Sequence, residues 1–193
     1  MTNFPALHDE VFHMLDHQLP SFLTYHSPKH TKYVLQQAEY ISIQENVREH
    51  DLFLIRTAAL FHDIGFIQQY KDHEEAGCEI TREFMERYSF DPLDAEKIFG
   101  MIMATKIPQK PHTLPEKIVA DADLEYLGTD LFYKVSQLLY KEMLYLDPDL
   151  DIKSFNQIQI KFLSAHTYHT DFCKNHREEK KLQNLKELME SMQ

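Results

Sequence analysis

The sequence predicts an all-α fold in one domain. Long segments rich in Leu, Glu, Lys and Gln place their apolar residues with the spacing of an amphipathic helix. Only 4 glycines occur in 193 residues, and runs of β-branched residues are few, which argues against a β fold. With 43% hydrophobic and 12% aromatic residues, the chain can bury a core of its own. No repeat, low-complexity tract or linker is present, so we expect a single domain over residues 1–193.

Charge, cysteine content and hydropathy indicate which partners and which cell compartment to expect. The formal net charge is −11 and no Lys/Arg patch stands out, so a nucleic-acid polymer would be repelled. Cys78 and Cys173 lie far apart without a CxxC motif, which favours a reduced compartment. The first residues lack a basic start followed by an apolar segment, and no apolar stretch reaches the length of a membrane span. We expect a cytoplasmic protein with neither a nucleic-acid nor a membrane partner.

Two helices are predicted in the first 45 residues. Residues 4–18 have one apolar face and form a packing helix. Ser27, followed by a proline, is a typical cap for a second helix over residues 28–45. His26 lies just before this cap, and His30 lies in the first turn of the helix. His30 is a candidate ligand, because it shares the core-facing stripe with Val34, Ala38 and Ile41.

A buried helix that ends in a His-Asp pair is the centre of the predicted site. Residues 52–65 are apolar on nearly every face, so this helix belongs in the middle of the domain. Gly65 fits the C′ position that closes a helix. Ionised Asp63 is costly to bury unless a positive group meets it, and His62 offers a neutral nitrogen ligand. We therefore predict a metal ion at this helix end.

Six further helices are expected after the His-Asp pair. Asp72, with Glu75 three residues later, is an Asp variant of the capping box and puts His73 at the first helical position. The predicted helices cover residues 73–88, 92–104, 115–124, 130–146, 152–165 and 169–190. The last helix is either an outer helix of the bundle or a surface for a second copy of the chain, so a homodimer is an expected form.

Two segments between or within these helices bear on the site. Residues 105–114 contain two prolines and two lysines, and they form either a loop over the site or a plain connection. Thr105 and Lys106 are the candidate substrate contacts in this loop. In the following helix Asp121 and Asp123 are two positions apart and point to nearly opposite sides. Only one of the two aspartates is expected to face the site.

Three pieces of sequence occur in a recognisable order: His30 four residues before Val34, the His62-Asp63 pair, and Ala122-Asp123 in a later apolar run. In order and spacing they resemble the HD superfamily of metal-dependent phosphohydrolases over roughly residues 25–130. The resemblance implies an HD-type helical bundle of about eight to ten helices, with the helices of residues 130–190 packed on this motif core. It also implies a divalent metal held by His30, His62, Asp63 and Asp123.

Two local segments resemble particular branches of that superfamily. Tyr25-His26-Ser27 is similar to the start of class I cyclic-nucleotide phosphodiesterases, which implies that His26 is the general acid for the leaving oxygen. Residues 73–80 are similar to the HPxxGxxI segment of two-metal subfamilies, which implies His73 as a ligand of a second ion. Those subfamilies carry a histidine where this chain has Thr105, so one ion is expected and a complete second site is not.

The predicted activity is hydrolysis of a small phosphate ester by metal-activated water. The expected substrate is a nucleotide monoester or a cyclic or other diester, and the catalytic residues are His26 and Asp63. A divalent ion lowers the pKa of bound water from about 15.7 toward roughly 7. Two histidines and two aspartates form a mixed nitrogen and oxygen set suited to Mn, Fe, Co, Ni or Zn, and Mg is also admitted. A bound cation reverses the local sign, so the acidic chain can still bind an anionic ester.

Two other functions are left open by the residues. One is a non-catalytic sensor domain that binds metal and nucleotide. The other is an HD-type di-iron oxygenase, as in the myo-inositol oxygenase family, against which the missing histidine at Thr105 counts. The presence of His26 beside a full ligand set favours catalysis, because a sensor has less need of a positioned acid. A purely structural role would have to explain why Asp63 and Asp123 both lie in apolar helices.

Overall fold

The computed structural model describes residues 3–192, and every regular element in that range is helical. The described range leaves out residues 1, 2 and 193 of the predicted domain. Its ten α-helices confirm the all-α prediction and the expected eight to ten helices. They are α1 Phe4–Gln18, α2 Pro28–Gln44, α3 Glu49–Phe61, α4 His73–Arg87, α5 Pro92–Met103, α6 Leu114–Leu124, α7 Phe132–Leu146, α8 Ile152–Ala165, α9 Asp171–His176 and α10 Glu178–Glu190. None of them is both long and apolar enough to span a membrane.

Helix α3 lies at the centre of the fold. It packs against α1, α2, α5 and α6, and its last four residues, Ala58 to Phe61, are fully buried. This agrees with the apolar character of the segment on every face. A second apolar cluster joins Tyr25 and Leu127 to Phe132, Leu163 and Leu188, and so connects the C-terminal helices to the end of α6. The functional residues described below lie between these two apolar regions.

The predicted end of the central helix is wrong. Helix α3 stops at Phe61, and a short 3₁₀ turn follows over Ile64–Ile67. Gly65 lies inside that turn and does not have a positive φ, so it is not a C′ residue. A Cβ at this position would lie 1.8 Å from the His73 carbonyl oxygen and 2.6 Å from the Gly77 nitrogen. Glycine is needed here because the backbone of α4 passes directly against it.

The predicted cap of α4 is also wrong. Asp72 precedes the helix with φ 54° and ψ 39°, a left-handed conformation, and its side chain makes no capping bond. An N-cap normally requires an extended backbone. The Asp72 carboxylate accepts a hydrogen bond from Lys106 Nζ at 2.8 Å instead. The capping box lies instead at the start of α6, where it is formed by Thr113 and Glu116. Helix α6 begins at Leu114, one residue before the predicted start.

The last predicted helix, over residues 169–190, is two helices. Helix α9 ends at His176 and α10 begins at Glu178, with Arg177 at φ −123° between them. The Arg177 guanidinium turns inward to the buried carboxylate of Glu125, next to the end of α6. The chain thus breaks its helix at Arg177, whose side chain forms this ion pair, at a point where the local sequence favours a continuous helix.

Substitution of Gly65 by alanine is expected to destabilise the protein by about 3 kcal/mol. The added methyl group cannot coexist with the His73 carbonyl, so α4 must move away from the turn. Gly100→Ala is the matched control, because its Cβ would meet only the flexible end of Glu116 at 3.3 Å. Thermal denaturation of the two variants measures the difference. A Gly65→Ala protein as stable as wild type would show that α4 does not approach the turn as described.

Candidate metal centre

Three side chains from separate helices meet at one point. His30 is in the first turn of α2, His62 follows α3 directly, and Asp123 lies at the end of α6. Their ligand atoms all lie within 4.8 Å of one another. Asp123 Oδ1 is 3.0 Å from His30 Nε2 and 3.7 Å from His62 Nε2. This is the spacing expected of atoms that surround a common ion.

Asp63 faces the same point. Its Oδ2 lies 3.2 Å from His62 Nε2 and 3.6 Å from His30 Nε2. Adjacent residues within an α-helix project about 100° apart, which would separate His62 from Asp63. Because α3 ends at Phe61 and the backbone at Asp63 is not helical, with φ −106° and ψ 4°, both side chains reach the cluster. We call His30, His62, Asp63 and Asp123 the four-residue cluster.

Two atoms of the cluster are buried without a partner. His62 Nε2 and Asp63 Oδ2 have no hydrogen bond within the described part of the chain. His62 Nδ1 donates to the Ala59 carbonyl at 2.8 Å, so Nε2 is the nitrogen that can bind an ion. Buried polar atoms are rarely left unpaired. A divalent cation would satisfy both atoms, and two imidazoles with two carboxylates form a donor set that fits such an ion.

The charges of the cluster perturb one another strongly. Burial opposes a charge on His62, but the carboxylates of Asp63 and Asp123 outweigh it and raise the pKa of His62 to about 9. Burial likewise opposes a charge on Asp63, yet the neighbouring His62 and the hydrogen bond to His73 hold the pKa of Asp63 well below its usual range. Asp63 thus keeps its negative charge in a nearly dry site, which favours a cation there.

Asp121 and Asp123 have different partners, although they are only two residues apart. Asp121 is fully buried and accepts hydrogen bonds from the His169 amide at 2.9 Å, from the Thr170 amide at 2.8 Å and from the Thr170 hydroxyl at 2.6 Å. It therefore anchors the segment before α9. Asp123 is the aspartate whose carboxylate reaches the cluster, as the opposite orientation of the two residues predicts.

His73 lies on the far side of Asp63. Its Nε2 is 3.5 Å from Asp63 Oδ1 and 3.6 Å from Glu74 Oε1. Asp63 therefore directs one oxygen to the four-residue cluster and the other to His73. Thr105 also lines this space, but its hydroxyl donates to the Ile102 carbonyl at 2.8 Å. His73, Asp63 and Glu74 are the side chains available to a second ion.

Lys106 is bound to carboxylates at the start of α4. Its Nζ is 2.8 Å from Asp72 Oδ1, and it also contacts Glu75. Lys106 does not border the cavity beside the cluster, whereas its neighbour Thr105 does. The loop lysine is thus held against the protein in this conformation.

His26 is oriented by a glutamate that the sequence analysis did not identify. Its Nδ1 lies 2.5 Å from Glu142 Oε1, while Glu142 Oε2 accepts the backbone amides of Tyr25 at 3.0 Å and His26 at 3.1 Å. Glu142 is fully buried. Burial would raise the pKa of Glu142, but the His26 hydrogen bond and charge outweigh it and lower that pKa. An ionised Glu142 accepts from Nδ1–H, so Nε2 is the ring nitrogen left free.

Phe66 also holds His26 in place. The Phe66 ring stacks on His26 with a centroid distance of 4.2 Å and on His73 with a centroid distance of 3.8 Å. A signal for Glu142 was present in the sequence. It continues an apolar stripe on α7 with the helical spacing of Phe132, Val135 and Leu139. A carboxylate in such a stripe needs a buried partner.

A cavity of about 210 Å³ borders the cluster. Asp63, His73, Glu74 and Asp123 line it, together with His26. Most of the other lining residues are apolar, and α7 and α8 contribute several of them. A ligand in this cavity would therefore meet both the candidate metal ligands and hydrocarbon side chains.

Comparison with known proteins places this geometry in a family. No curated protein matches the chain. A predicted HD superfamily hydrolase from an uncultured Thermotogales bacterium is similar in structure, with a TM-score of 0.63 and 18% identity over 98% of this chain and 97% of that chain. Bacillus subtilis YpgQ in complex with ADP has a TM-score of 0.65 and 22% identity over 99% of this chain and 97% of that chain. The family model for the HD domain matches residues 29–125, slightly more than half of the 193 residues. The chain therefore belongs to the HD domain family.

Proposed function

We propose that this protein is a metal-dependent phosphohydrolase that cleaves a small phosphate ester, either a nucleotide monoester or a cyclic or other diester. Membership of the HD family supports metal-dependent phosphohydrolysis in general. The observation that carries the proposal is the four-residue cluster, in which two buried atoms lack partners within residues 3–192. Its ligands are proposed to hold one divalent transition ion, with His73 available to a second.

The charge of the cavity explains why a phosphate ester would need the ion. Three of the residues that line it are acidic, Asp63, Glu74 and Asp123, and none is a lysine or arginine within the described chain. A phosphate would therefore be repelled from the empty site. When bound, a divalent ion polarises the phosphoryl group and makes water a competent nucleophile at neutral pH. The protein contributes the ligands and the walls that exclude bulk water.

His26 is proposed to donate a proton to the leaving oxygen. The hydrogen bond from Nδ1 to Glu142 and the stacking on Phe66 fix the ring, so the free Nε2 is the atom that can act. His26 lines the cavity together with Asp63 and His73, and its ring centroid is 6.0 Å from that of His73. Glu142 touches no substrate in this scheme and is a positioning residue. A nucleotide as substrate is supported by the apolar residues that line the cavity and by the ADP bound to the similar YpgQ.

Asp63→Ala and Asp123→Ala are each expected to abolish stoichiometric metal binding and to lower ester hydrolysis by on the order of a thousandfold. Each change removes an anionic ligand from the four-residue cluster. Asp121→Asn is the matched control, since Asp121 is a buried aspartate of the same helix whose partners are His169 and Thr170. It is expected to lose stability and keep its metal.

Mass spectrometry of the purified proteins gives the metal content. Hydrolysis of p-nitrophenyl phosphate and bis-p-nitrophenyl phosphate, with and without added Mn²⁺, Co²⁺, Ni²⁺ or Mg²⁺, gives the activity. Normal metal content in the Asp63 and Asp123 variants would rule out the proposed set of ligands. Metal binding without turnover of any ester would favour a sensor over an enzyme.

Glu142→Gln is expected to reduce hydrolysis about a hundredfold for an ester with a poor leaving group, such as an alkyl ester. The p-nitrophenolate ion leaves without protonation, so hydrolysis of the p-nitrophenyl ester should change by only a few-fold. His26→Ala should show the same dependence on the leaving group. Steady-state kinetics with both esters makes the comparison, and Glu96→Gln, an exposed glutamate, is the control. Equal losses with both esters would indicate that Glu142 has only a structural role.

A further inference from the structure

Two histidines lie one helical turn apart on the outer face of α1. His13 and His17 are four positions apart, and residues at this spacing are neighbours on a helix surface. Both are exposed, while Leu7, Val11 and Leu15 form the buried face of the same helix. The ring centroids of the two histidines are 4.2 Å apart, with an angle of 34° between the ring planes. We call His13 and His17 the histidine pair.

A hydrogen bond within the helix sets the tautomer of one ring. His17 Nδ1 lies 2.8 Å from the His13 carbonyl oxygen. A carbonyl oxygen only accepts, so Nδ1 carries the hydrogen, and Nε2 of the neutral ring carries a lone pair. Histidines that bind metal ions are commonly oriented in this way, by a hydrogen bond from the other ring nitrogen to a carbonyl oxygen or a carboxylate. The His17 ring is therefore already arranged to offer Nε2 as a ligand.

The separation of the two rings suits a shared ion. Imidazole nitrogens bind a divalent transition ion at about 2.0–2.1 Å, so two of them at right angles on one ion lie roughly 3 Å apart. Rings whose centroids are 4.2 Å apart reach this separation by small rotations of the side chains. Two histidines at i and i+4 of a helix also bind zinc in the H-E-x-x-H motif, so this spacing allows both rings to reach one ion.

The charge around the pair favours a cation. Helix α1 contains three carboxylates and no lysine or arginine. Glu10 pairs with Arg87 at 2.7 Å, whereas Asp9 and Asp16 are exposed and lie four and three positions from His13. Such carboxylates raise the local concentration of cations. The pair also lies toward the C-terminal end of α1, which is the negative end of the helix dipole.

We propose that the histidine pair is a surface site for a divalent transition ion, which binds Cu²⁺ more tightly than Ni²⁺ or Zn²⁺. The two imidazoles would take adjacent positions on the ion, and water would fill the others. Affinity for nitrogen ligands peaks at Cu²⁺, and a site with two nitrogens and open positions admits the tetragonal geometry that Cu²⁺ prefers. The four-residue cluster contains no residue of α1, so the pair is a separate site and does not rest on the proposed function.

A bound ion would also stabilise the helix. The two rings come together only while residues 13–17 are helical, so an ion that joins them binds the folded protein and not the unfolded chain. Such an ion raises the folding equilibrium constant by about a hundredfold at a concentration a hundred times its Kd. This effect distinguishes an ion that both rings share from an ion bound to one of them.

Titration calorimetry with Cu²⁺ tests the site. Wild type should bind one equivalent whose affinity falls on the order of a hundredfold in His13→Ala and in His17→Ala, because a single imidazole cannot chelate. His112→Ala is the matched control, since His112 is a lone exposed histidine before α6. The double variant His17→Ala, Gln18→His keeps the number of histidines and changes their spacing to five, so it should lose the same equivalent.

The variant Asp123→Ala separates this ion from an ion at the four-residue cluster. It should retain the equivalent of Cu²⁺ that depends on His17, and Cu²⁺ should raise its thermal stability. Addition of His17→Ala to this variant should abolish that rise. Wild-type Cu²⁺ affinity in His17→Ala, or in the double variant with altered spacing, would overturn the site. Loss of the same equivalent in Asp123→Ala or in His112→Ala would also overturn it.

Hydrolysis of bis-p-nitrophenyl phosphate by the same preparations distinguishes the two proposals. His17→Ala lies far along the chain from every proposed catalytic residue and should hydrolyse the ester at the wild-type rate. Binding of Cu²⁺ that depends on His17, in a protein that hydrolyses no ester, would support the surface site and count against the hydrolase. Ester hydrolysis by a wild-type protein without this Cu²⁺ site would overturn the surface site alone.

Discussion

The constraint on which the structure depends is the burial of an ionised aspartate beside a histidine at the end of the central helix. Asp63 and His62 lie among fully buried apolar residues, so their charges must be balanced by atoms that other helices bring to them. Helix α2 supplies His30 and α6 supplies Asp123. The close backbone approach at Gly65 brings His73 to the second oxygen of Asp63. Four helices thus pack so that their ionisable side chains meet at one point.

The site extends past the segment that defines the family. The HD match ends at residue 125, and it contains the four-residue cluster. Glu142 on α7 and Gln159 on α8 lie beyond it, and each replaces an apolar residue in a core-facing stripe. The family segment therefore carries the ligands suited to a metal. The later helices hold His26 in position and contribute several of the apolar residues that line the cavity.

Local sequence patterns predicted the helices and the candidate ligands because both depend on spacing within one segment. The same patterns failed where a distant segment decides the conformation. Asp72 has a suitable partner for a cap in Glu75, but its carboxylate pairs with Lys106, 34 residues away. Gly65 resembles a helix C′ residue, yet glycine is needed there because the backbone of α4 leaves no room for a Cβ. The sequence places Glu142 in an apolar stripe but does not identify its partner, because His26 is 116 residues away.

Charge explains how the proposed anionic ester could enter a cavity that no lysine or arginine of residues 3–192 lines. Lys106, the loop lysine next to Thr105, pairs with Asp72 and Glu75 and does not line the cavity. The carboxylates that line the cavity would repel a phosphate ester by themselves. An ion held by the cluster would reverse the sign of the potential beside them. Affinity for the proposed ester would then follow the occupancy of the metal site.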